Sequence, residues 1–193
     1  MGVLHENGKG NFINPYYQDD IFSKSKAGAA ISRGTTPLGL ACIAAPMLNG
    51  EHSVKILNLN IINKPEEYLQ NEIKEFNPDF VGITATTPLI KKVYKIATIV
   101  KKVNREILIV AGGPHPSALP EDVLTESEID CVVKGEGDFI LKMIVEKGLS
   151  SSIPNIFYKK DREVIKSEIQ DDFTKDLDSL PFPAYELFDI KTL

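Results

Sequence analysis

Few residues of this 193-residue chain have types and spacing that could do chemistry together, and the densest group is Gly112-Gly113-Pro114-His115-Pro116. Its two glycines let another molecule approach the backbone, or let the chain take positive φ. Its two prolines fix the exit and bar further strand pairing. His115 has two readings: a base or ligand, or a loop histidine whose ring packs or hydrogen-bonds locally, which is the simpler. Two other loops share this bareness. Thr84-Ala85-Thr86-Thr87-Pro88 offers hydroxyls, and Lys134-Gly135-Glu136-Gly137-Asp138 offers backbone amides beside a carboxylate. Glu136 either hydrogen-bonds a ligand or caps the positive N-terminus of the helix that follows. Loops of this kind suit a large polar ligand with a nucleotide-like tail. They also suit ordinary strand-to-helix turns.

Most other chemistries are excluded by what is missing. There is no pair of carboxylates, no nucleophile with a base at a recognisable spacing, and no metal-ligand cluster. The fingerprint GxGxxG is absent after the first strand, and the second strand ends in Asn58-Leu59-Asn60 rather than in an acid for a ribose. No phosphate loop ends in Gly-Lys-Ser/Thr, and Thr84 stands where a phospho-acceptor receiver needs aspartate. His5, in HENGKG, has the His-x-x-Gly form of a ligand motif, but no strand precedes it and the match reads as coincidence. Cys42 and Cys131 lie in apolar surroundings and read as reduced core residues of a cytoplasmic protein. A net charge of −5 argues against a nucleic-acid partner. With 42% apolar and 25% charged residues, no membrane-length apolar run and no signal peptide, the composition is that of a soluble globular protein without a membrane partner.

The elements that must hold these loops alternate strand and helix. Asn11 to Asn14 is a first strand, stopped by Pro15 and followed by a long polar loop from Tyr16 to Arg33. Thr35-Thr36-Pro37 opens a helix with hydroxyls to cap it, running to Gly50 with Pro46 kinking or shortening it. Strands follow at Val54 to Leu59, Asp79 to Thr84, Ile107 to Val110 and Asp130 to Val133. Helices are expected at Pro65 to Phe76, Leu89 to Val103, Pro120 to Thr125 and Phe139 to Lys147. The third carries Lys91, Lys92, Lys95, Lys101 and Lys102 on what is most simply a solvated face. The expected fold is α/β: a doubly wound, Rossmann-like (flavodoxin-like) five-stranded parallel sheet, whose carboxyl rim holds all three bare loops. Beyond it, Ile156 to Ile165 reads as a hairpin, and the acidic, proline-containing end as a tail without a core of its own.

Taken in order, these segments resemble a known family, the cobalamin-binding domain at the N-terminus of class B radical SAM enzymes. The resemblance is carried by Asn14-Pro15-Tyr16, Pro37-Leu38-Gly39-Leu40, Asn77 to Thr84, Gly112 to Pro116 with Leu119-Pro120-Glu121, and Gly135-Glu136-Gly137. Leu180-Pro181-Phe182-Pro183-Ala184-Tyr185 is similar to the linker before the iron–sulfur domain. The resemblance implies a corrin on the carboxyl rim, with its nucleotide tail beside the strands. Thr84, Thr86 and Thr87 would line the tail. Gly112, Gly113 and His115 would lie under or beside the corrin, Gly135 and Glu136 would border the nucleotide, and Tyr16 or Tyr17 would face the cobalt. The lower-ligand motif Asp-x-His-x-x-Gly is missing, so histidine ligation from the first loop is not expected. Asp138 departs from the family's usual glutamate.

The cysteine triad CxxxCxxC is also missing. The resemblance therefore implies a cofactor-carrying half of a larger enzyme, catalysing nothing alone. Its parent would be a methyltransferase or other radical enzyme, with a 4Fe-4S cluster and S-adenosylmethionine held by a C-terminal radical SAM domain. The expected division is a flexible start over 1–10, the cobalamin-binding domain over 11–150, and hairpin and linker over 151–193. The alternatives are a flavodoxin-like nucleotide-binding domain and a cofactor-free interaction domain.

Overall fold

The protein is described by a computed structural model covering residues 7–16, 36–161, 163–169 and 176–188. His5, Tyr17, the rest of the loop to Arg33, Thr35 and most of the expected flexible start lie outside these residues.

Five strands run parallel: β1 (Lys9–Asn14), β2 (Ser53–Asn58), β3 (Phe80–Thr84), β4 (Leu108–Gly112) and β5 (Cys131–Val133). The helices between them are α1 (Leu38–Leu48), α2 (Pro65–Phe76), α3 (Ile90–Val103), α4 (Pro114–Ala118), α5 (Pro120–Thr125) and, after β5, α6 (Ile140–Lys147). Local chemistry explains the cleanest of them. Helix α2 has Pro65 in its first turn beside Glu66 and Glu67, and Lys74 in its last. It stops where Asn77 turns left-handed at φ 47°, just before Pro78. Helix α6 stops at Gly148, whose φ of 74° favours glycine.

The sheet has seven strands rather than five, in the order β2-β1-β3-β4-β5-β6-β7. The hairpin β6 (Ile156–Lys160) and β7 (Glu163–Lys166) adds to it antiparallel, pairing Val133 with Ile156 and Cys131 with Tyr158. An edge strand of three residues leaves backbone groups that another strand can satisfy, and the hairpin takes them. Hydrophobic alternation shows that a hairpin exists, but not where it attaches.

Two apolar layers flank the sheet. On one face Leu69 and Ile73 of α2, Val93, Ile96 and Val100 of α3, and Val123 and Leu124 of α5 pack over Ile13, Val81 and Ile109. On the other, Leu40 and Ala44 of α1 and Leu141 and Ile144 of α6 pack over Phe12, Phe80 and Val110. The segment 180–188 docks on this second layer. Ala184 is buried, and its N–H donates to the Ala41 carbonyl in α1 at 3.0 Å.

Three local expectations change. The cap position of α1 is Pro37, and no side chain caps it, so the expected threonine cap is absent. The stiff turn after β4 is a short helix, α4, with Pro114 in its first turn. The lysine face of α3 is only partly solvated. Lys101 is largely buried, paired with Asp130 at 2.7 Å and donating to the Ile107 carbonyl at 2.8 Å. Lys95 pairs with Glu66, and Lys92 lies 4.8 Å from the centre of the Tyr16 ring. Long lysine stems reach across a helix edge to partners that periodicity does not register. No described helix is long and apolar enough to cross a membrane.

Candidate functional site

The chain leaves β1 for β2 on one side and later reaches β3 on the other. This makes the β1–β3 boundary the topological switch point where open α/β sheets bind ligands. A cavity of about 420 Å³ lies beside it, mainly over β3 and β4 on the α1/α6 face of the sheet. Thr84, Gly112 and Gly135 stand at its strand-end rim, and Phe12, Gly82 and Val110 form its deeper part on neighbouring strands. Gly39, Cys42 and Ile43 of α1 and Leu141 of α6 wall it laterally, and Leu180 from the docked segment joins the lining.

Adjacent glycines at the rim have different jobs. A Cβ on Gly112 would meet nothing within 4 Å, so this backbone is bare toward open space. Gly113 sits at φ +100°, and a Cβ there would stand 3.0 Å from the Ala85 carbonyl and 3.1 Å from Thr84 Oγ1. Gly113 therefore serves the fold, by letting the β3 and β4 loops lie against each other. The Ala85 N–H donates to the Gly112 carbonyl at 2.9 Å, and the His115 N–H to the Ala85 carbonyl at 3.2 Å. Gly135, at φ +80°, also has open space over it, and its N–H donates to Ser117 Oγ at 3.0 Å.

Of the residues singled out from sequence, Thr84, Gly112, Gly113, Gly135 and Glu136 come together around the cavity. Thr86, Thr87 and His115 stand outside that lining. His115 Nδ1 lies 3.1 Å from Thr87 Oγ1, a local hydrogen bond of the simpler kind. Thr86 Oγ1 is buried without a partner among the described residues. Tyr16 is buried in the layer on the α2/α3 face, and its hydroxyl donates to Glu66 Oε1 at 2.6 Å. Sequence reasoning missed Phe12, Gly39, Cys42, Ile43, Gly82, Asp138, Leu141 and Leu180. Gly82 was legible in principle, because a glycine inside an apolar strand marks a close approach. Phe12 Cδ1 lies 2.8 Å from where its Cβ would be.

The polar border is acidic. Glu136 and Asp138 follow β5, and burial first, then the charge of Asp138, pushes the Cys42 thiol above its usual range. Cys42 is thus a neutral thiol in the cavity wall, half-buried rather than a core residue, whereas Cys131 is fully buried. Among the described residues no group of histidines, cysteines and carboxylates could hold a metal ion. The arrangement is built for binding: bare backbone and a hydroxyl at the rim, and an apolar slot beneath.

The model of the B12-binding domain matches residues 26–145. This chain belongs to the B12-binding domain family. The match does not favour the alternative reading as a flavodoxin-like nucleotide binder or cofactor-free interaction domain. An uncharacterized methyltransferase of Pyrococcus horikoshii is 38% identical over 168 residues, covering 82% of this chain and 36% of that protein. An anaerobic magnesium-protoporphyrin IX monomethyl ester cyclase of Rubrivivax gelatinosus is 32% identical over 136 residues, covering 69% and 23%. Among solved structures, the cobalamin-dependent S-adenosylmethionine radical enzyme OxsB, with aqua-cobalamin and S-adenosylmethionine bound, superposes with a TM-score of 0.72. That likeness, at 15% identity, covers 94% of this chain and 25% of OxsB and shows a shared fold. The chain spans about a third or less of the length of these relatives.

The site's geometry fits a corrinoid on its own terms. A flat macrocycle needs a rim without projecting side chains, and Gly112 and Gly135 leave that space open. An appended nucleotide needs a slot beneath the rim, and the cavity supplies one.

Proposed function

We propose that this chain is the cobalamin-carrying part of a radical S-adenosylmethionine enzyme, with the corrin on the carboxyl rim and the nucleotide tail in the α1/α6-face cavity. The observation that carries this is the cavity beside the switch point, beneath a rim kept bare by Gly112 and Gly135. Gly112 and Gly135 hold the macrocycle by backbone contact, while Thr84 and Glu136 border the tail. Gly113, Thr87 and His115 act indirectly, by holding the β3 and β4 loops together. Thr86, buried outside the cavity, belongs to the same loop packing rather than to the tail's border. Tyr16 takes the role of a brace, tied to Glu66 beneath Lys92, rather than that of a group facing cobalt.

Bound cobalamin would supply a cobalt centre able to accept and hand on a methyl group. The parent enzyme would be a methyltransferase or a related radical catalyst, with a further domain holding the 4Fe-4S cluster and S-adenosylmethionine. The methyltransferase and cyclase names of the relatives, and their greater length, support this. The free cysteines agree with a cytoplasmic setting.

Titration with hydroxocobalamin, followed by desalting and visible absorption, tests the site. The wild-type chain should retain stoichiometric corrinoid. Gly112→Leu, which meets no protein atom at its Cβ, should fold normally and retain little. Loss of corrinoid from the wild type, or equal retention by the variant, overturns the assignment.

A further inference from the structure

We infer that the slot is selective for the lower base of its corrinoid, accepting an apolar benzimidazole and rejecting adenine. This rests on the cofactor reading above and adds a ligand class to it. A cavity of about 420 Å³ takes a drug-sized group. The corrin with its amide side chains is far larger, so the part of the cofactor that enters is the nucleotide with its flat base.

The deep lining meets that base with hydrocarbon. Phe12, Gly82 and Val110 lie side by side across β1, β3 and β4. The Phe12 ring leans into the room that Gly82 leaves, with its Cδ1 and Cε1 2.8 and 3.0 Å from the position a Gly82 Cβ would take. Ile43 and Leu141 face this floor from α1 and α6. None of these side chains carries a hydrogen-bonding group, and the strands' backbone groups are committed to the sheet. The polar lining consists of Thr84, at the last position of β3, Glu136 and Asp138 in the β5–α6 loop, and the Cys42 thiol, a weak donor.

Dimethylbenzimidazole presents two methyl groups and a single imine nitrogen to such a wall. Adenine brings three free ring nitrogens and an exocyclic amine, and these lose water without gaining partners at the floor. Polar atoms buried unpaired weaken binding by about tenfold to a hundredfold.

The test compares three ligands on the full chain by equilibrium dialysis and visible absorption: hydroxocobalamin, its adenine-containing analogue, and cobinamide, which lacks the nucleotide. Hydroxocobalamin should bind about tenfold to a hundredfold more tightly than the adenine analogue. Ile43→Gln, a change at a half-buried helix position, should narrow that ratio by supplying an amide. Equal affinity for the two complete corrinoids overturns the selectivity. Cobinamide binding as tightly as hydroxocobalamin also overturns it, since the tail then lies outside the slot. Failure of all three to bind, cobinamide included, removes the cofactor reading itself.

Discussion

The two faces of this sheet are built from the same strands and packed to opposite ends. On the α2/α3 face, branched side chains from both helices close over Ile13, Val81 and Ile109. On the α1/α6 face, Gly39, Gly82 and Gly112 contribute no side chain to the lining, and a cavity remains. Interiors are normally filled to crystal-like density, and the apolar cleft is the part of the α1/α6 layer left open. Both faces carry a buried apolar layer, and the candidate site lies on the one left partly open.

The largest test of this contrast removes volume from the filled face. Ile96 is almost fully buried there, and Ile96→Ala should cost about 2–5 kcal/mol in urea unfolding of the ligand-free chain. Corrinoid affinity of the folded fraction should stay unchanged. A comparable loss of affinity would mean that the faces are coupled and that the contrast is too simple.

A smaller effect separates the adjacent glycines. Gly113→Ala should destabilise by about 2 kcal/mol, because its φ of +100° and the Ala85 carbonyl 3.0 Å from the new methyl both oppose it. Gly112→Ala should be neutral or slightly stabilising in thermal unfolding. Equal penalties would put Gly112 in the fold rather than at the ligand.

The smallest effect is a pH dependence confined to the filled side. Hydrogen bonds from Lys95 first, and from Tyr16 second, hold the Glu66 carboxyl below its ordinary value. A depressed folded value means that the stabilisation is fully present above about pH 4.5 and is lost as pH falls through the folded value. Glu66 is partly exposed, so the contribution is a few tenths of a kcal/mol. Glu66→Gln should flatten the acid limb of stability by that amount and leave corrinoid binding at neutral pH untouched. A shift in binding would tie Tyr16 to the ligand after all.

What the chain alone determined is whatever short-range chemistry can carry. Pro65, Asn77 and Pro78 bound α2 by their own backbone preferences, and the expected limits, Pro65 to Phe76, are the observed ones. The apolar runs at Phe80 to Thr84 and Leu108 to Gly112 mark strands buried on both sides, and so imply helices above and below. Gly112, Gly135 and Thr84 were legible as rim residues because each stands at or just past the end of such a strand. Tertiary structure decided the remainder, which depends on partners far along the chain. The hairpin's attachment to β5, the burial of Lys101 against Asp130 and the tie of Tyr16 to Glu66 are of this kind. So is the division of labour between Gly112 and Gly113, set by whether the β3 loop lies against the missing side chain. Periodicity reports that a residue faces inward, but not whether it meets a neighbour there or a space left for a ligand.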